Sequence, residues 1–167
     1  MEIVKNLVRR KARNEICSVT PDTLVYRALQ ILSEKEIGAL LVMEKGELVG
    51  IVSERDYARK VILEGKSSKE TYTKEIMSTN LSVVTPENTV EECMALMTEK
   101  RVRHLPVIDR GTNKVLAVIS IRDVLESIIY DQKVLIEHLS NHIMGKYSWT
   151  DRPGGGWVDG LPGHNPL

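Results

Sequence analysis

The stretch Gly50-Ile51-Val52-Ser53-Glu54-Arg55-Asp56 and its counterpart Ala117-Val118-Ile119-Ser120-Ile121-Arg122-Asp123 decide the fold. Each joins an apolar strand to a helix, and its serine lies where the helix begins. The free backbone N–H groups at a helix N-terminus and the helix dipole favour an anion at that point. The aspartate follows one turn later on the same side, so each copy predicts a polar cluster at the start of a helix.

The two segments belong to an internal repeat. Val19-Thr20-Pro21-Asp22 recurs as Val84-Thr85-Pro86-Glu87, and this offset of 65 residues continues through the apolar runs 40–42 and 105–107. A two-residue insertion in the turn 110–113 changes the offset to 67. Two copies indicate an internal dimer of one structural unit rather than a solenoid.

Each copy predicts the element order β-α-β-β-α. The first helix has apolar residues at i, i+3, i+4 and i+7, beginning at Val25 in one copy and at Val90 in the other. Two continuous apolar runs follow each helix, and such runs are typical of strands buried on both faces. The sequence therefore predicts an α+β fold built from two repeats.

Composition is typical of ordinary globular proteins, with 28% charged and 42% hydrophobic residues. The 23 basic and 23 acidic residues balance, which disfavours a general electrostatic binder of nucleic acid. No apolar run approaches the roughly 20 residues of a membrane span. Cys17 and Cys93 lie in apolar surroundings and indicate free thiols in a reducing compartment, so we expect a cytoplasmic location.

We predict three segments along the chain. Residues 1–66 hold the N-terminal segment and the first repeat, and residues 67–144 hold the second repeat with a C-terminal helix. Gly145 is expected to end that helix. Residues 145–167 form a Gly/Pro-rich tail without apolar periodicity, which we expect to be disordered.

The serine–aspartate cluster has two interpretations. A carboxylate one turn into a helix can accept hydrogen bonds from the two vicinal hydroxyls of a ribose, and the serine hydroxyl can donate to a phosphate oxygen. Arg55 and Arg122 are then bidentate phosphate donors, although both can equally be solvated first-turn residues. Alternatively, Ser-x-x-Asp is an ordinary capping box that needs no ligand, and a duplicated fold duplicates its caps.

Four segments together resemble a tandem pair of CBS domains, the cystathionine-β-synthase repeat, also called a Bateman module. They are Ile37-Gly38-Ala39-Leu40-Leu41-Val42, the run 50–59, Glu75-Ile76-Met77, and Arg101-Val102-Arg103-His104-Leu105-Pro106-Val107. The resemblance covers about residues 3–144 and is to stand-alone two-repeat proteins. It implies repeats packed about a pseudo-two-fold axis, and two chains associated into a flat disk.

The resemblance implies that an adenosine ligand, either AMP, ADP, ATP, NAD or S-adenosylmethionine, binds in two clefts between the repeats. It places Asp56 and Asp123 on ribose hydroxyls, with Ser53 and Ser120 beside the phosphate or ribose. The other implied contacts are Ile37, Gly38, Ala39 and Val118 around the adenine of the Asp123 site, Ile51, Val102 and Arg103 in the Asp56 site, and Arg103 and His104 on the phosphate. Ala117 stands where the family usually has glycine, which reduces the space there.

We therefore expect a regulatory adenosine-nucleotide-binding module rather than an enzyme. Ligand binding shifts a conformational equilibrium that an unidentified regulated partner reads. We expect a homodimer, no catalytic cofactor, and no nucleic-acid or membrane partner. Two alternatives stay open: an interaction module whose clefts hold no ligand, and a nucleic-acid binder that uses the basic stretch 9–13.

Three further features are assigned structural roles. His138 and His142 have the spacing of a two-histidine metal pair, but no third ligand follows, so we expect a solvated helix face and no metal. Lys11, in the basic N-terminal stretch, can reach a phosphate, but the favoured interpretation is a solvated residue. The apolar stripe that contains Leu135 and Leu139 is interpreted as a core or dimer face.

Overall fold

The structure, a computed structural model, describes residues 2–11 and 15–146. Its elements in chain order are α1 (Val4–Arg10), β1 (Ser18–Val19), α2 (Val25–Lys35), β2 (Ala39–Glu44), β3 (Glu47–Ser53), α3 (Glu54–Tyr57), a π-helical turn (Ala58–Ile62), α4 (Thr73–Ile76), α5 (Val90–Lys100), β4 (His104–Ile108), β5 (Val115–Ser120) and α6 (Ile121–Lys146). The chain divides into two compact units, Met1–Ile129 and Tyr130–Leu167. Both repeats lie in the first unit, and the predicted α+β class is confirmed.

The first repeat contains a three-stranded sheet. Strand β1 is parallel to β2, and β2 is antiparallel to β3. The hairpin between β2 and β3 turns at Lys45 and Gly46, which have φ values of 50° and 85°. Positive φ at both positions is the geometry of a tight hairpin turn and explains the glycine. Helix α2 covers the sheet with Val25, Ala28 and Leu32, all buried.

The second repeat has the same plan with a shorter first strand. Strands β4 and β5 pair antiparallel, but in place of a strand equivalent to β1 there is a single parallel bridge between Val84 and Val107. In the first repeat the Leu41 N–H donates to the Cys17 carbonyl at 3.2 Å. The equivalent of Leu41 is Pro106, which has no N–H, so the predicted strand is reduced to one paired residue.

The segment before each repeat packs on the other repeat. Ile3 pairs with Thr89 of the second repeat, and Tyr72, in the connection between the repeats, pairs with Leu24 of the first. Helices α1 and α4 follow these two pairs. This reciprocal exchange is the arrangement that a pseudo-two-fold relation produces. The boundaries 1–66 and 67–144 stay a prediction, and the structure adds that the leading residues pack on the second repeat.

Helix α1 is anchored by a buried polar cluster. The carboxylate of Glu2 accepts hydrogen bonds from Arg10 and from the hydroxyl of Ser127 on α6. Glu2 is 9% exposed and Ser127 is 4% exposed. Val4 and Leu7 enter the hydrophobic core of the second repeat. These contacts fix the position at which α1 ends.

Helix α6 extends through Gly145 to Lys146. The predicted stop at Gly145 is therefore wrong, because glycine destabilises a helix by only about 1 kcal/mol relative to alanine and ends one mainly where it adopts a left-handed conformation. Residues 147–167, which make up most of the predicted disordered tail, lie outside the described residues.

Candidate ligand-binding cleft

A cleft of about 810 Å³ lies between the two repeats at the start of α6. The first repeat contributes the residues that lead into β2, and the second contributes β4, β5 and the first turn of α6. The predicted site residues that line it are Ile37, Gly38, Ala39, Arg103, His104, Val118, Ser120, Arg122 and Asp123. The structure thus brings the predicted Asp123 set together, and with it Arg103, which we had assigned to both sites.

Asp123 forms a capping box with Ser120. The Ser120 backbone N–H donates to Asp123 Oδ2 at 2.6 Å, and the Ser120 hydroxyl donates to the same oxygen at 2.8 Å. In return, the Asp123 N–H donates to Ser120 Oγ at 3.3 Å. These bonds fix the orientation of the carboxylate beside the cleft. They are the bonds of the capping interpretation, so the geometry is compatible with both interpretations of the motif.

Lys11 reaches into this cleft. Its Nζ lies 2.9 Å from Asp123 Oδ2 and 2.8 Å from the Val118 carbonyl oxygen. The solvated role predicted for Lys11 is therefore wrong: its side chain is 25% exposed and that of Asp123 is 17% exposed. The reason is that α1 packs on the second repeat and ends at Arg10, which leaves the next side chain facing the cleft.

The environment of Asp123 favours its charged form. Burial acts to raise the pKa of this carboxyl, but the Ser120 backbone N–H, the Lys11 ammonium and the Ser120 hydroxyl all lower it. The net result is a pKa below the ordinary value of 3.8. Asp123 is therefore an ionised acceptor at neutral pH, as recognition of a pair of hydroxyls requires.

His104 forms part of the cleft wall and packs closely on Gly38. A Cβ at Gly38 would lie 3.2 Å from both Cε1 and Nε2 of the His104 ring, so a larger residue there would have to displace the ring by a few tenths of an ångström. Burial lowers the pKa of His104 below 6.5, and the neighbouring charges of Arg103 and Lys11 lower it further, while Asp123 opposes them. The imidazole is therefore neutral at pH 7.

Apart from Arg103, the residues of the predicted Asp56 set do not line this cleft. Ser53 and Asp56 repeat the capping box, with the Ser53 hydroxyl donating to Asp56 Oδ2 at 2.7 Å. The other carboxylate oxygen lies 2.8 Å from Lys60 Nζ. Lys60 also donates to the Ile76 carbonyl at 2.6 Å. Each aspartate thus has a lysine that bridges it to a backbone carbonyl.

Other members of the Asp56 set are engaged by the protein itself. Ile51 donates its N–H to the Ser78 carbonyl at 3.0 Å and accepts from the Ser78 N–H at 2.9 Å. Arg55 donates to the Arg101 carbonyl at 3.2 Å, and Val102 packs against the core of the second repeat. The backbone N–H and C=O of Ile51 are therefore already paired within the protein, whereas a backbone that reads adenine needs such groups free for the ligand.

The cleft also contains residues that the sequence analysis did not select. They are Glu15, Cys17, Glu34, Lys35, Glu36, Glu54, Ala117 and Ile121. Only the three-dimensional fold brings these positions together, apart from Ala117, which the sequence repeat already marks as the equivalent of Gly50. Among the described residues, no group of three or more His, Cys, Asp or Glu side chains could hold a metal ion.

Two repeats that exchange their leading segments around a polar cleft define a tandem-repeat module. The CBS domain model matches residues 4–62 and 74–130. The chain belongs to the CBS-domain family, which confirms the resemblance seen in the sequence. A pair of such domains is commonly a regulatory ligand-binding module.

Similar proteins include a plant relative and solved structures. The mitochondrial CBS domain-containing protein CBSX3 of Arabidopsis thaliana is 40% identical over 134 residues, which are 77% of this chain and 64% of that protein, so the chain spans less than two thirds of this relative. A CBS-domain structure from Burkholderia ambifaria MC40-6 is 47% identical with a TM-score of 0.74, covering 78% of this chain and 96% of the other. The CBS domain pair of protein MJ0100, solved with 5′-methylthioadenosine and S-adenosyl-L-methionine, is 21% identical with a TM-score of 0.62 and covers 80% of this chain and 98% of the other.

Proposed function

We propose that this CBS pair is a regulatory module, not an enzyme, and that it binds an adenosine nucleotide in the cleft beside Asp123. The carrying observation is the position of an oriented, ionised carboxylate in a cleft of about 810 Å³. Clefts of roughly 300–1,000 Å³ suit ligands of this size. The adenosine-containing ligands of the MJ0100 pair give the proposal further support.

The residues that line the cleft include an apolar, a carboxylate and a guanidinium group, which match the base, the ribose and the phosphate of a nucleotide. Ile37, Ala39 and Val118 supply apolar surface for a base. Asp123 accepts from vicinal hydroxyls. Arg122 provides a bidentate donor for phosphate oxygens. This division suits AMP, ADP, ATP or NAD, whose phosphate oxygens match the guanidinium, while the carboxylate of S-adenosylmethionine can pair with it as well.

A protein-interaction module without a bound ligand is the second candidate, and one observation favours it. Asp123 and Asp56 each form a capping box and a lysine ion pair. Within the described residues, no buried side-chain nitrogen or oxygen lacks a hydrogen-bond partner. The buried polar side chains of these residues therefore have hydrogen-bond partners without a ligand.

A thermal-shift panel decides between the two candidates. AMP, ADP, ATP, NAD and S-adenosylmethionine are added to protein shown to be free of adenine absorbance, with Asp123→Ala and Asp56→Ala in parallel. A ligand at 100 times its Kd adds about 2.7 kcal/mol, or several degrees in Tm. A shift lost in Asp123→Ala and kept in Asp56→Ala supports the proposal; no shift with any ligand supports the interaction module.

We also propose a homodimer that acts on an unidentified regulated protein. The support is a run of exposed apolar side chains on α6, namely Leu125, Ile129, Leu135, Ile136, Leu139 and Ile143. Exposed apolar rows of this kind mark protein interfaces. The cytoplasmic location stays a prediction. In the described part of the chain, no helix is both long and apolar enough to cross a membrane.

A further inference from the structure

We infer that Lys11 is a built-in competitor of the ligand, one that lowers the affinity of the Asp123 cleft for nucleosides. The inference rests on the proposed function. Lys11 Nζ donates to two groups of the cleft at once, Asp123 Oδ2 at 2.9 Å and the Val118 carbonyl oxygen at 2.8 Å. The side chain comes from a segment outside both βαββα repeats.

The two groups that Lys11 engages are those a nucleoside needs. A ribose donates two hydroxyls to a carboxylate, and the exocyclic amine of adenine donates to a carbonyl. Asp123 Oδ2 already accepts from the Ser120 N–H and the Ser120 hydroxyl as well as from Lys11. A ribose whose two hydroxyls bind both carboxylate oxygens uses Oδ2, which these three donors already occupy, so it must displace the ammonium, and the free energy of that displacement is subtracted from its binding.

The backbone of Lys11 does not move away easily. Its N–H donates to the Leu7 carbonyl at 3.1 Å and so continues the last turn of α1. Helix α1 is held in turn by Val4 and Leu7 in the core and by the Glu2 cluster with Ser127. The backbone therefore stays near the cleft, and the flexible side chain is the part that yields to a ligand.

In the first repeat, Lys60 pairs with the equivalent aspartate but contacts a different backbone carbonyl. Lys60 pairs with Asp56, but its second acceptor is the Ile76 carbonyl, whereas Ile51, which corresponds to Val118, is bonded to Ser78 through its backbone. Of these two lysines, only Lys11 therefore links its aspartate to the carbonyl of the strand residue that lines the ligand cleft, Val118. This assigns the competing role to the Asp123 cleft.

The test is the affinity of adenosine for Lys11→Met, measured by calorimetry beside the wild type. Methionine keeps the length of the side chain and removes the donor. We expect adenosine to bind about tenfold more tightly, the effect of one charge-assisted hydrogen bond. The gain is expected to disappear in Lys11→Met/Asp123→Ala. Lys5→Met is the matched control, because it makes the same change at an exposed position of α1 and should leave the affinity unchanged.

The outcomes separate this inference from the proposed function. If the wild type binds AMP but adenosine binds Lys11→Met no more tightly than wild type, the competitor role is wrong and the proposed function stands. If neither protein binds AMP or adenosine, the proposed function fails and the inference with it. Lys11→Ala must give a change of the same sign, which guards against a methionine that fills the cleft. Circular dichroism and the Tm of each variant establish that it is folded.

Discussion

At the residue scale, His104 makes the stability of the fold sensitive to pH. Its pKa in the folded protein lies below 6.5, chiefly because of burial, so the unfolded chain takes up a proton at a higher pH than the folded one. The contribution is fully present above pH 6.5 and is lost as the pH falls through the folded pKa. We expect the free energy of unfolding, measured in urea, to fall between pH 7.5 and pH 5.5.

The matched variant for this prediction is His104→Gln, which keeps a polar planar group and cannot titrate in that range. The decrease between pH 7.5 and pH 5.5 should be smaller in His104→Gln than in the wild type. Asp123 contributes separately at lower pH, because its depressed pKa gives stability that is lost only below its unfolded value of 3.8. An identical pH dependence of the two proteins would show that the imidazole is not buried as described.

The two thiols should differ in reactivity. Burial raises the pKa of Cys93 to about 11, and its side chain is 0% exposed, whereas Cys17 is half-buried. Because the thiolate is the nucleophile, we expect iodoacetamide at pH 8 to label Cys17 and not Cys93 in the folded protein. Peptide mass spectrometry reads the result, with the urea-unfolded protein as the control in which both react. Equal labelling of the folded protein would contradict the packing of α5.

Single residues also show why the site was only partly predictable from sequence. The Ser-x-x-Asp spacing correctly located both capping boxes. Lys11 was expected to be solvated or to reach a phosphate, although it follows Val4 and Leu7 at i+7 and i+4 and so lies on the same helical face as these buried residues. The difference between the Asp123 and Asp56 sets was beyond the sequence, because it depends on Ser78 pairing with Ile51 across the fold.

At the scale of elements, α1 is expected to be an integral part of the second repeat. Leu7 is 4% exposed within that core, so Leu7→Ala should reduce the free energy of unfolding by about 2–5 kcal/mol in a urea titration. Arg9→Ala, at an exposed position on the same helix, should change it by no more than about 0.5 kcal/mol. Similar small effects of both substitutions would mean that α1 is not docked in solution.

The elements also differ in how well their sequence patterns predicted them. Helices α2 and α5 and the paired strands of both repeats followed from periodicity and apolar runs. Helices α1 and α4 were not predicted, because each is short and its apolar residues are buried by the other repeat. Val84 forms one bridge and not a longer strand because Pro106 has no N–H to donate. This effect could be predicted only if the strand that pairs with Val84 were already known.

At the scale of the whole molecule, the exchange of leading segments connects α1 and the first turns of α6 to the cleft. The segment that precedes the first repeat supplies Lys11 to a site in the second, and its anchor Glu2 is bonded to Ser127 on α6. A ligand that displaces the Lys11 ammonium therefore moves the side chain of the residue that follows α1 directly. These contacts connect the cleft to α1 and α6, and the side chain of Lys11, not its backbone, is the part that a ligand moves.

Self-association of the chain should depend on the exposed face of α6. Ile129, Ile136 and Ile143, spaced by seven, are 51%, 61% and 60% exposed, and Leu139 follows Ile136 by three. Isoleucine and leucine in this alternation are typical of two-stranded helix pairing.

We expect light scattering to find a dimer that Ile136→Glu converts to a monomer, because the substitution places a charge in an apolar seam. Asn141→Glu adds the same charge at an exposed position off the seam and should leave the dimer intact. A dimer that survives Ile136→Glu would place the interface on the repeats, as in a flat disk, and a monomeric wild type would remove self-association from the proposed function.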